Sequence, residues 1–184
     1  MSDTADRYRT LAAAFEAKVA GVGPDDWSNP SPCAEWTARD VVGHVVDVHG
    51  MMLRPLGIGL SEGPSVADDP LGAFRAVRAD LQGVLDDPDR ADTAYDGMFG
   101  RTSVSATVDQ FMAFDLVVHG WDLARATGQD ETIPEDEVDR VLAFVDRMGT
   151  STMQENGVTG PAVAVPDGAP KQDRMLGLLG RDPG

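Results

Sequence analysis

The sequence predicts an all-α fold: a bundle of long helices with one extra helix and a short irregular C-terminal tail. Two observations carry this. Apolar residues recur at three- and four-residue spacing along successive stretches. Those stretches open on Asp, Thr or Pro and close on Gly or Pro, the residues that cap and stop helices. The chain has 184 residues and is 42% apolar, enough for a real core in one domain or a domain with an appendage.

The first helix is expected over residues 3–21, where Leu11, Phe15 and Val19 form one stripe and Gly23-Pro24 follows. After the loop "SNPSPCAEW", Thr37 caps a second helix, and Asp40 three residues on completes a capping box with Asp in place of the usual Glu. Trp36 and Val41 are spaced for a hydrophobic staple across that cap. This helix is expected to run to Arg54 and stop at Pro55. A Gly-rich loop over 56–68 leads to a third helix at Asp69-Pro70, with Phe74, Val77, Leu81 and either Val84 or Leu85 as its buried stripe. Residues 88–103 read as a long polar loop with a short extended piece. The fourth helix is expected over 105–127, ending at Gly128, and the fifth begins at Pro134 with Val138, Val141, Leu142, Val145 and Met148. The bundle is expected over residues 1–150. A tail over 151–184 is expected to pack on it, with a short strand in "GPAVAVP" and a short helix in "APKQDRMLGLLG".

The formal charge of −16, with Lys18 and Lys171 as the only lysines, disfavours nucleic acid and anionic membrane as partners. No apolar run approaches the roughly 20 residues of a membrane span. The polar N-terminus lacks a secretion pattern, and one cysteine, Cys33, fits a reducing compartment, so a cytoplasmic setting is expected. There is no phosphate loop, nucleophile elbow or cysteine pair.

The fourth helix carries the question. "FMAFDLVVHGW" is apolar nearly all round, yet holds Asp115 and His119 one turn apart, within about 40° of each other on the helix. Burying a lone carboxylate costs several kcal/mol without a compensating partner. An idle hydrogen-bonded Asp–His pair and a solvent-facing polar stripe both account for this helix alone. A third reading comes from His44, set among valines in the second helix. Two histidines and a carboxylate are a common set for a divalent ion, provided the second and fourth helices are neighbours. His49 lies about 140° round the helix from His44 and is expected at the surface or rim. Asp47 is expected to be solvated, although it could serve as an outer acceptor. Trp121 and Asp122, with the 95–103 stretch, are candidates for the wall of a cofactor or substrate pocket. Arg125 is spaced for an ion pair with Asp122. Cys33 reads either as a thiol activated near a helix start or as a small buried residue.

"WSNPSPCAEWTARDVVGHVVDVH" and "FDLVVHGWDLARATGQD" resemble two signatures of the mycothiol-dependent maleylpyruvate isomerase-like proteins, within the DinB/YfiT-like superfamily. The tail "GPAVAVPDGAPKQDRMLGLLGRDP" resembles that of an actinobacterial metal-binding subgroup. The resemblance implies a DinB-like four-helix bundle and a divalent ion, zinc or nickel, held by His44, Asp115 and His119. It also implies a small thiol such as mycothiol as cosubstrate, an electrophilic small-molecule substrate and S-transferase or isomerase chemistry. A non-catalytic, metal-stabilised or metal-sensing bundle is the alternative, and pairing through helix faces into a homodimer suits such bundles. Asp115 stands where the isomerase carries the longer Glu, and the segment after residue 150 is shorter than the isomerase's C-terminal domain.

Overall fold

The computed structural model describes residues 3–54, 57–97 and 100–184. Pro55, the expected stop of the second helix, lies outside them, as do Leu56, Met98 and Phe99. The chain divides into two compact units, Met1–Asp130 and Glu131–Gly184.

The first unit is built on four helices: α1 (Asp3–Ala20), α2 (Ala38–Leu53), α3 (Pro70–Leu85) and a late helical run. That run comprises α5 (Val104–Thr107), a π-helical turn (Val108–Met112) and α6 (Ala113–Thr127). α1 packs against α3 and α6, and α2 packs against the same two, so the ring order is α1–α3–α2–α6. α2 and α6 are therefore neighbours, the condition that the three-residue set required.

Each helix forms where its pattern says it should. Leu11, Phe15 and Val19 of α1 are buried, with Ala5, Tyr8 and Ala12 completing the stripe. Phe15 meets Phe74 of α3 at a ring-centroid distance of 4.9 Å, and Glu16 on the same seam takes Arg75 at 2.7 Å and also Arg78. The Arg75 hydrogen bond leads in holding the Glu16 carboxyl below its usual range. α2 opens on the expected capping box: the Thr37 side chain accepts from the Asp40 N–H, and the Asp40 carboxylate accepts from Thr37 N–H at 2.9 Å. Asp69 caps α3 by accepting from Gly72 N–H at 2.8 Å, with Pro70 at the first helical position. α6 ends on Gly128 in the left-handed region, φ 65°.

Two expectations in this unit need correction. The stretch 88–103 is not a long loop. Pro88–Ala91 forms a short helix, α4, and Ala94–Gly97 (β1) pairs antiparallel with Gly100–Ser103 (β2), while Tyr95 Oη donates to Thr107 Oγ1 at 2.8 Å. The fourth helix is not uniform either. Ala113 N–H reaches back five residues to Val108 O, so the turn before α6 holds one extra residue. Arg7 of α1 holds that turn by donating to Asp109 O at 2.8 Å and to its carboxylate at 2.7 Å.

The second unit contains α7 (Glu135–Met148), α8 (Thr150–Glu155) and α9 (Lys171–Leu178), with α7 packed against both others. Gly149, at φ 80°, breaks the path between α7 and α8. α9 is the expected short helix. The stretch "GPAVAVP" is not a strand: Pro161 and Pro166 lack N–H donors, and Val163 N–H makes a single bond to Gly177 O at 2.8 Å. Among the described residues, no helix is long and apolar enough to cross a membrane.

His49 corrects a third expectation. It is completely buried, not at the rim. Turning away from His44 on α2 carries it into the bundle interior. There its Nδ1 lies 2.7 Å from Val45 O, and its Nε2 lies 2.9 Å from Tyr8 Oη on α1. Phe74 of α3 meets the ring edge-on at 5.7 Å. Val45 O can only accept, so Nδ1 carries a proton; burial disfavours a second one, so Nε2 accepts from the Tyr8 hydroxyl. Burial pushes the His49 pKa down to about 4, and burial likewise raises the Tyr8 phenol above its usual range.

In the unfolded chain His49 protonates near pH 6.5, and in the folded protein only near 4. Between those values the unfolded state binds more protons, so the unfolding free energy falls as pH drops through the window, by up to about 3 kcal/mol from this residue. Urea titrations from pH 7 to 4 should show that slope flattened in His49→Gln; equal slopes in the two proteins would remove His49 as the cause.

Candidate metal centre

Three elements meet at the α2–α6 seam: the middle of α2, the first two turns of α6, and the loop that enters α2. His44 comes from the first, and Asp115 and His119 from the second. One ligand atom from each of the three lies within 4.8 Å of the others. His44 Nε2 stands 3.7 Å from Asp115 Oδ2, and the two imidazoles meet edge-on at a centroid distance of 4.8 Å. A shared cation would draw these atoms closer, since bonds to N and O run at about 2.0–2.2 Å for zinc. The side chains are graded in exposure: His44 31%, Asp115 17%, His119 9%. The set is thus rooted in the interior and open on the α2 side.

Asp122 lies behind His119. It is fully buried, and its Oδ2 is 2.9 Å from His119 Nδ1. A carboxylate accepts, so the ring proton sits on Nδ1, and the Nε2 lone pair is the one left to bind. A histidine oriented through its far nitrogen by a carboxylate is a recurring device in metal sites. Asp122 was expected in a pocket wall; the structure places it against the imidazole. Trp121, the companion expectation, is only 2% exposed, and the Arg125 guanidinium lies 5.2 Å from its ring centroid. Asp47 is exposed on α2.

The loop before α2 supplies two further groups. Cys33 Sγ lies 3.2 Å from Asp122 Oδ2, so the thiol and His119 share one carboxylate oxygen. Cys33 is half-buried. Trp36 covers both imidazoles, with centroid distances of 4.9 Å to His44 and 5.9 Å to His119. Expected as half of a staple on Val41, its ring is a wall of the site. Sequence periodicity carried no sign of either contact, because both residues precede the helix.

The loop is held in shape by its own backbone. Ser31 N–H donates to Trp36 O at 2.8 Å, Trp36 N–H to Cys33 O at 3.1 Å, and Ala38 N–H to Asn29 O at 2.9 Å. Asn29 Nδ2 donates to Ala126 O at 3.0 Å, which ties the loop to the end of α6. The tightness forces Glu35 to φ 67°, the left-handed region that a residue with a Cβ adopts at a cost of about 1–2 kcal/mol.

Comparison with known proteins places these residues in context. Residues 8–67 match the family model described as the mycothiol maleylpyruvate isomerase N-terminal domain. Cys33, Trp36 and His44 fall inside the matched stretch; Asp115, His119 and Asp122 fall beyond it. Over 169 residues the chain is 28% identical to an uncharacterised protein of Mycobacterium tuberculosis, found in strains CDC 1551 / Oshkosh and ATCC 25618 / H37Rv. The alignment covers 91% of this chain and 92% of the relative. No solved structure matches.

The strained loop yields a test. Glu35→Gly is expected to leave stability within about 0.5 kcal/mol of the parent or raise it, and Glu35→Val to lower it by about 1–2 kcal/mol. Denaturant unfolding measures both; a Glu35→Val variant as stable as Glu35→Gly would contradict the assigned backbone conformation.

Proposed function

We propose that this chain is a divalent-metal protein of thiol-dependent transferase or isomerase type, with His44, Asp115 and His119 as the protein ligands. The observation that carries the reading is the convergence of two imidazoles and one carboxylate from neighbouring helices, with ligand atoms within 4.8 Å. The donor types suit zinc or nickel, since imidazole favours both. Three protein donors leave coordination positions for water or substrate, as in catalytic rather than closed structural sites. A cation held there would supply Lewis acidity and keep a coordinated thiol in its nucleophilic thiolate form.

The chain's own residues have separate tasks. Asp115 brings the negative charge that offsets part of the cation's. Asp122 accepts from His119 Nδ1, which holds the ring and leaves Nε2 as the nitrogen for a cation. His44, the most exposed of the three, stands at the entrance. Trp36 lies across both imidazoles, limits water on that side and offers an aromatic face to the apolar part of a bound molecule. The match to the mycothiol maleylpyruvate isomerase N-terminal domain supports mycothiol or a similar small thiol as cosubstrate, with an electrophilic small molecule as its partner. A cytoplasmic setting suits such a reaction.

The openness at His44 favours this reading over a metal that serves only to hold the bundle together. Two measurements decide it. Untagged protein from metal-replete medium is expected to carry about one equivalent of divalent metal, falling below about a tenth in His44→Ala and in His119→Ala. With cobalt in the site, adding a low-molecular-weight thiol is expected to change the visible spectrum. A metal-loaded protein whose spectrum ignores thiols would be a structural metal protein, and a parent protein below about a tenth of an equivalent would end the metal reading.

A further inference from the structure

His119 has two nitrogens and belongs to two sets of potential donors. One set is His44 and Asp115. The other is Asp122 and Cys33, with Asp122 Oδ2 at 2.9 Å from His119 Nδ1 and 3.2 Å from Cys33 Sγ. One donor atom from each of Cys33, Asp122 and His119 lies within 4.8 Å of the others. The two sets differ in kind. The first offers nitrogen and oxygen only; the second adds sulfur.

We propose that Cys33, Asp122 and His119 form a second, sulfur-bearing cation site, selective for soft divalent ions such as cadmium, which competes with the first set for the imidazole of His119. The geometry needs little adjustment. Donors bonded to one tetrahedral zinc at about 2.0–2.3 Å stand about 3.3–3.6 Å apart, a few tenths of an ångström beyond the present hydrogen-bond separations, and a larger soft ion asks for somewhat more. Hydrogen bonds hold the three groups together, and a cation would replace the protons between them. The balance is simple. The thiol gives its proton to solvent as the sulfur–metal bond forms, and the ring proton passes from Nδ1 to Nε2, so one proton is released per cation bound. Competition follows from the ring: a neutral imidazole has one lone pair, offered through Nε2 to the first set or through Nδ1 to the second. Softness decides between the sets, because thiolate favours soft ions and the histidine–carboxylate set suits harder and borderline ones. Access comes through Cys33, which is half-buried on the loop, whereas Asp122 is closed from solvent behind it.

The existence of this site is independent of the reading given above; only the competition rests on it. The test is a cadmium titration of the full chain, followed by the ultraviolet thiolate-to-cadmium absorption. The parent protein is expected to develop the band and saturate near one equivalent, with the band absent in Cys33→Ser. Asp122→Asn should weaken cadmium at least about tenfold. His119→Gln provides the same comparison if Asp122→Asn does not fold, as judged by circular dichroism. Preloading with nickel should weaken cadmium by about tenfold or more, and His44→Ala should abolish that effect while keeping the band. No band in the folded parent overturns the proposal. So does a band of unchanged affinity in Asp122→Asn or His119→Gln, which would mark a lone reactive thiol. Nickel binding lost with the cadmium band intact would sink the first site alone, and the reverse would sink this one alone.

Discussion

The hydrogen bond between His119 and Asp122 is the constraint on which the centre depends. A buried imidazole can turn either nitrogen toward a partner, and its chemistry changes with the choice. Here a fully buried carboxylate takes Nδ1 at 2.9 Å, and Nε2 is the nitrogen left to bind. Both partners ride on one rigid helix three residues apart, so the orientation is set when α6 forms and packs. Asp115, one turn earlier on the same helix, and His44, from the neighbouring α2, then complete a cluster whose geometry has few free torsions.

The bundle supports that arrangement through contacts placed well away from it. Arg7 holds the π-helical turn that precedes α6, so the extra residue is absorbed before Asp115 rather than across it. The capping box on Thr37 and Asp40 fixes where α2 starts, and hence which face His44 presents. The entry loop, tied at Asn29 to the end of α6, brings Cys33 and Trp36 onto the same imidazole. Its left-handed residue, Glu35, lies between those two contributors, which is where backbone strain is commonly stored near a functional site. His49 does the opposite job: neutral and bonded at both nitrogens, it fills the interior on the far side of α2 and stabilises the frame.

Much of this was legible in the residues. The stripes on α1 and α3, the Asp69-Pro70 start, the Thr37–Asp40 box and the Gly128 stop are local signals, and local physics honours them. His44, Asp115 and His119 stood out because polar groups in apolar helices need partners, and the structure brings the three together. What could not be read depends on packing across distance in sequence. His49 was misplaced because helical angle says which way a side chain turns, not whether that direction leads to solvent. Cys33 and Trp36 reach the centre through a loop whose path no periodicity describes. Asp122 was singled out, but its role as the partner of Nδ1 emerged only once the ring orientation was known. Of the hairpin only a short extended piece was legible, and of the π-helical turn nothing, because each is a departure from regular spacing imposed by neighbours.

Two imidazoles and a carboxylate, one side open and one side pinned, bring together the donor types that a divalent ion takes. The most direct measurement is of the histidine side-chain nitrogens themselves, by long-range proton–nitrogen NMR as zinc is added. Nε2 of His119 and a nitrogen of His44 are expected to shift together on binding, while Nδ1 of His119 keeps its proton and His49 does not move. Zinc that leaves both His44 and His119 unshifted, or that perturbs either one without the other, would contradict a centre shared by the two histidines.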